Sequence, residues 1–197
     1  MDGRPGLDRP AEVGPPLPPH LPGRRAARMK AALFCLLALC ACAGNEKTVE
    51  LKPVDITRQH ACALDGMTVI DHHGPKAQLL RRDQSRAVFC DAKEAFPELL
   101  DPVRRRQVAQ IWFQPLDQAP WESHPGDWAP AADLLFVAGS GKLGSMGPTL
   151  APFKNRAKAK AFVAQYGGQI HRYEQIDQAV LEALKQQGMD ELSRAGG

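Results

Sequence analysis

Two stretches of the chain, residues 77–113 and 134–173, run through the same order of signals: strand, hairpin or glycine-rich turn, helix, returning strand. Identity between them is slight, so the repeat lies in the pattern rather than in the residues. Such an order restricts each half to a few short strands with a helix laid against them. In the first half, residues 77–81 and 86–90 read as paired strands around the polar turn Arg82-Asp83-Gln84-Ser85. Asp91-Ala-Lys-Glu94 has capping-box spacing. A helix should follow through Phe96, Leu99 and Leu100 and stop near Pro102, shortened or bent by Pro97. Residues 107–114 are rich in β-branched and aromatic side chains and predict a strand.

The second half opens with an apolar strand at residues 133–138 and a glycine-rich turn at 139–148 around Met146. A helix over residues 155–166 ends at Gly167, a left-handed stop. A strand at 168–174 and a helix at 176–187, on Val180, Leu181 and Leu184, complete the pattern. Between the halves, residues 114–133 form a long loop rich in Pro and Trp; such loops in compact domains are often functional. Ahead of both, Thr68-Val-Ile-Asp begins a strand. The expected body is residues 62–187, with 188–197 a disordered tail.

The N-terminal part has a different character. Residues 1–28 are full of Pro, Gly and Arg and bury too little apolar surface to fold; they read as a disordered extension or an over-long start. Residues 29–41 then give a basic start, a short apolar run and small residues at the exit, a secretory signal peptide. The run is too short for a comfortable membrane span. Leu39, Ala41 and Cys42 resemble a bacterial lipobox with Cys42 as the lipidated residue, whereas Cys40 fits less well. Plain secretion after cleavage near Ala43 is the alternative. Residues 42–61 are polar and read as a flexible tether.

Residues 1–41 hold six of the 25 Lys and Arg and three of the 22 Asp and Glu, so 19 of each sign remain beyond them. The pI of about 8.6 therefore belongs mostly to the leader. The neutral remainder lacks the basic surface that nucleic-acid binding needs.

Soft donors stand out in the body. Cys62-Ala-Leu-Asp-Gly-Met67 is followed, after Thr68-Val-Ile-Asp71, by His72 and His73, and Gly144-Ser-Met146-Gly-Pro-Thr sets a second thioether in a glycine turn. Thiolate and thioether sulfur select Cu(I) over magnesium, calcium or manganese. Cys62 and Met146 are the leading candidate ligands. Met67 suits core packing as well as metal contact, and His72 and His73 suit either solvent or a nitrogen donor. His124 and His171 carry no further signal, and Asp65 and Asp127 are candidates to orient a ligand. The competing use of Cys62 is a disulfide to Cys90, in an oxidising compartment. Cys90, where a strand meets a helix, also suits burial as a small apolar side chain. No Cys-x-x-Cys, nucleophile elbow or zinc-protease helix occurs, so an enzyme is not expected.

The lipobox, Cys62-Ala-Leu-Asp-Gly-Met67, Gly74-Pro-Lys-Ala-Gln78, Phe89-Cys90-Asp91 and Gly144-Ser-Met146-Gly-Pro-Thr149 together resemble the NosL family, accessory lipoproteins of nitrous oxide reductase. The Trp121–Trp128 loop and Tyr166-Gly-Gly also fit. The resemblance covers nearly the whole chain beyond the signal region. It implies an α+β body of two small ββαβ units. It also implies a periplasmic, membrane-anchored Cu(I) chaperone for the reductase's copper–sulfide centre, with Cys62 and Met146 as leading ligands. The reductase or a membrane complex that prepares it would be the partner. The alternative is a non-metal periplasmic scaffold lipoprotein stapled by Cys62–Cys90.

Overall fold

A computed structural model describes residues 51–118, 121–122 and 127–196. The expectations for residues 1–50, Cys42 among them, and for His124 lie outside these. In the first half, β1 (Ala77–Arg81), β2 (Arg86–Phe89), β3 (Val108–Phe113) and β4 (Ala129–Pro130) form an antiparallel sheet in the order β2-β1-β3-β4. Gln78 of the central strand faces Val88 on one side and Trp112 on the other. The turn joining β1 to β2 falls where the sequence places it, with Gln84 in the left-handed region at φ 71°.

The second half repeats the arrangement. β5 (Leu135–Ala138) lies between β8 (Ala151–Phe153) and β9 (Gln169–Arg172), both antiparallel to it. A small hairpin of β6 (Leu143–Gly144) and β7 (Gly147–Pro148) rises between β5 and β8. Each half thus places its first strand in the middle, its second on one flank, and its last on the other after a helical crossover. That is the ββαβ order expected, in an α+β body.

The crossovers are α1 (Phe96–Leu100) with α2 (Pro102–Gln107) in the first half and α3 (Arg156–Tyr166) in the second. Asp91 and Glu94 form the expected capping box, although it opens a 3-10 turn, Ala92–Ala95, that leads into α1. Asp101 then caps α2 by accepting from Val103 and Arg104 amides. The two sheets share one core. Phe96 stacks on Phe113 at 5.5 Å, and Phe136 meets Phe113 edge-on at 5.0 Å. All three rings are fully buried, and burying a side chain of this kind contributes about 1.5–3 kcal/mol.

Three expectations are corrected, and one strand appears where none was expected. Thr68-Val-Ile-Asp makes a single bridge, Ala61 to Thr68, and then a 3-10 turn, Val69–Asp71; Val69 points inward and is fully buried. The second part of the tether is docked: Val54 exchanges two 3.0 Å hydrogen bonds with the Gln78 amide, and Ile56 packs beside Cys62 and Val69. Residues 151–153, unassigned in the sequence reading, form the edge strand β8. The last helix, α4, runs over Gln178–Ala195 in place of 176–187 with a disordered tail. Gly188 looks like a helix stop but serves packing, since a Cβ there would come within 3.2 Å of Pro148 Cδ. No described helix is long and apolar enough to cross a membrane.

Gly144 is where the hairpin meets the first half. A Cβ at this position would lie 1.9 Å from Asp91 Oδ2 and 3.0 Å from Thr149 Cβ. Gly144→Ala is therefore expected to destabilise the protein by about 1–3 kcal/mol, the usual range for overpacking, read as a lower urea midpoint with unchanged slope.

Candidate metal centre

Cys62 begins a tight loop that closes on itself. Its amide donates to the Met67 carbonyl at 2.7 Å, and the Gly66 amide returns to the Cys62 carbonyl at 2.9 Å. Gly66 is left-handed at φ 77°, which explains why a glycine stands there. The Asp65 carboxylate accepts from the Met67 amide, and Ala63 donates to the Val88 carbonyl, fastening the loop to β2. The Cys62 thiol is thereby turned inward, only 3% exposed, against Val69, Val88 and Cys90.

Cys90 follows directly on β2 and is fully buried. The capping box fixes Glu94 beside it: Glu94 Oε2 accepts from the Asp91 amide at 3.1 Å. Both thiols converge on this same oxygen, Cys62 Sγ at 3.3 Å and Cys90 Sγ at 3.3 Å. Donor atoms of Cys62, Asp65, Cys90 and Glu94 all lie within 4.8 Å of one another. Asp65 is the exposed member of the group. Both cysteines are free thiols.

A buried cation adjoins them. Lys76, fully buried, donates from Nζ to the carbonyls of His73, Gly74 and Cys90, each at 2.9 Å. Three acceptors use all three N–H bonds of an ammonium group. Burial lowers its pKa to about 8, opposed chiefly by the nearby Asp91 carboxylate. Burial pushes both thiols above their ordinary value, Cys90 furthest. Asp91 is also raised by burial; its Oδ1 bonds the Thr149 hydroxyl and the Lys93 amide while Oδ2 has no partner.

The β6–β7 hairpin is seated on this cluster. Ser145 Oγ donates to the Cys90 carbonyl at 2.9 Å, and Lys93 Nζ reaches the carbonyls of Met146 and Pro148. Trp121, from the long loop, supports it from the side: its indole N–H donates to the Leu143 carbonyl, and its own carbonyl accepts from Gly74. Gly74, at φ 80°, lets its backbone approach Gly144 closely. Met146 thus occupies the hairpin tip next to Ser145, 47% exposed, and borders an apolar groove with Leu181, Met189 and Leu192 of α4.

Of the other sequence candidates, Met67 is half-buried against Cys62, Val69, Val88 and Cys90. His72 caps the Val69–Asp71 turn through its backbone and is not a member of the clustered donor group. His171 sits on β9 opposite Phe136, and Asp127 pairs with Lys154 at 2.7 Å. The sequence offers Glu94 as a cap and Cys90 as a disulfide partner of Cys62 or a small buried side chain, and gives Lys76 no role beyond its motif. The capping box was the available signal, since Glu94 reaching back to the Asp91 amide comes beside the preceding Cys90.

Comparison with known proteins agrees with the architecture. The NosL family profile matches residues 53–181. The copper-binding lipoprotein NosL of Stutzerimonas stutzeri is 30% identical over 153 residues, covering 77% of this chain and 80% of that protein. Its namesake in Achromobacter cycloclastes is 30% identical over 160 residues, covering 77% and 79%. The crystal structure of the copper chaperone NosL from Shewanella denitrificans superposes with a TM-score of 0.63 at 32% identity, covering 65% of this chain and 97% of that one. With the profile spanning well over half of its length, this chain belongs to the NosL family.

Proposed function

We propose that the protein is a carrier of Cu(I), held by Cys62 and Met146, which delivers copper for assembly of the copper–sulfide centre of nitrous oxide reductase. In this reading it works on the periplasmic side of a bacterial membrane, anchored through a lipid on Cys42. The names of its relatives, copper-binding lipoprotein and copper chaperone, support the cargo. The observation that carries the reading is the 2.9 Å bond from Ser145 to the Cys90 carbonyl. It ties the Met146 tip to the strand end whose thiol shares Glu94 with Cys62. Met67, packed on Cys62, and His72, further off, are the remaining candidates for a third contact.

The two leading ligands differ in access. Cys62 is buried, whereas Met146 is half exposed. A cation held between a buried thiolate and a surface thioether can exchange the thioether for a donor on the recipient before it leaves the thiolate. Copper then passes by ligand replacement and is never free. An open coordination position suits such transfer, as a closed tetrahedral cage suits a structural ion.

The reading is tested by anaerobic competition for Cu(I) between the reduced full-length protein and a chromogenic chelator. Cys62→Ser should lower affinity by at least about a hundredfold and Met146→Leu by about tenfold or more, with Met67→Leu having the smaller effect; each tenfold step is about 1.4 kcal/mol. Unchanged retention in both Cys62→Ser and Met146→Leu overturns these ligands, and a wild-type protein that retains no copper overturns the reading in favour of a scaffold without metal. A dependence on acidity follows from the buried thiol. Burial holds the Cys62 proton on at neutral pH, and metal binding must displace it. Apparent affinity should therefore weaken as pH falls from about 8 to about 6, by up to about tenfold per pH unit for each displaced proton.

A further inference from the structure

Cys90 lies in an unusual setting for a packing residue. Its sulfur is fully buried, yet it donates to a carboxylate oxygen that the Cys62 sulfur also approaches at 3.3 Å. An apolar side chain of the same size would fill the space without bringing a second thiol to that point. The two sulfurs lie within 4.8 Å of each other. Bonds from a metal to thiolate sulfur are about 2.3 Å for zinc, so one ion placed between two sulfurs spans about 4.6 Å. Both sulfurs thus lie within the span that a single small cation can bridge.

Resting on the copper reading above, we propose that Cys90 is a second thiolate ligand, so that Cu(I) is held between Cys62 and Cys90 with the Lys76 ammonium as the fixed counter-charge. Binding forms two copper–sulfur bonds and breaks two S–H bonds: Cu(I) and two thiols give a bis-thiolate unit of charge −1, and two protons go to solvent. No electron moves. Two thiolates suit the soft Cu(I) ion. The negative charge they create inside the protein needs a partner, because an unpaired buried charge is strongly disfavoured. Lys76 supplies it from beside the same residue, gripping the Cys90 carbonyl at 2.9 Å. Its other two bonds, to His73 and Gly74, keep the ammonium in place whether or not metal is present. The loop Leu64-Asp65-Gly66 above Cys62 is exposed, and Asp65, itself within the donor group, marks the way in. Met146, at the neighbouring hairpin tip, then acts as the outer donor that meets incoming or outgoing copper.

Cu(I) competition with the chelator, run anaerobically on the full-length protein, distinguishes the outcomes. Cys90→Ser should reduce affinity by at least about a hundredfold, as Cys62→Ser does. If Cys90→Ser retains copper like the wild type while Cys62→Ser does not, this inference is overturned and the carrier reading stands. If both retain copper like the wild type, both fall. Should Cys90→Ser fail to fold by circular dichroism, copper-edge X-ray absorption of the wild type decides. Two short copper–thiolate contacts at one copper per chain support the pair, and a single one overturns it.

Discussion

An ammonium group sealed away from water is the constraint around which the site is arranged. Lys76 sits on the approach to β1 with its whole side chain buried, an arrangement that fails unless the charge is fully solvated by the protein. Three backbone carbonyls do this, from His73, Gly74 and Cys90. Satisfying one cation thereby fixes the turn before β1 against the end of β2. With Cys90 fixed, Asp91 and Glu94 follow through the capping box, and the Glu94 oxygen becomes the point on which both thiols close. Buried ionic groups of this kind contribute little net stability compared with apolar packing. What this one determines is position.

The second half is attached to the first at the same place. Asp91 holds Thr149, Ser145 holds the Cys90 carbonyl, and Lys93 holds Pro148. Away from the hairpin the halves meet chiefly through aromatic packing, indifferent to small shifts, with the 3.1 Å hydrogen bond from Arg105 to the Tyr173 hydroxyl at its margin. The polar contacts at the hairpin are directional and set its register. Trp121 closes the fourth side and works as a brace between Leu143 and Gly74. The site is therefore a junction between two similar units rather than a feature of either.

Most of the fold was legible in the chain. The Arg82–Ser85 turn, the Asp91–Glu94 cap, the Gly167 stop and the order of elements in both halves depend on local chemistry, and they appear where local chemistry predicts. The failures have specific physical causes. Pro152 breaks a strand pattern, yet it is tolerated because β8 is at the edge of its sheet. Gly188 imitates a helix stop because packing against Pro148 needs the same missing side chain that a stop would need. Val69 has a β-branched side chain and still enters a 3-10 turn, since burial beside Cys62 and Val88 outweighs strand propensity. Of the site, Cys62 and the Met146 turn were visible as motifs. The burial of Lys76 and the Glu94 contact of Cys90 were not, because a lysine reads as surface and Cys90 as a disulfide partner or small buried side chain until tertiary structure brings their partners.

The β6–β7 hairpin is only two residues wide at its tip, and it is held through Ser145, Lys93 and Trp121 at three separate points. A span so short and so firmly rooted has already surrendered its conformational freedom during folding. Whatever lodges against Met146 meets a surface with almost no ordering left to do. Its residence time there is governed by the strength of the bond it makes, and hardly at all by the opening and closing of the chain beneath it.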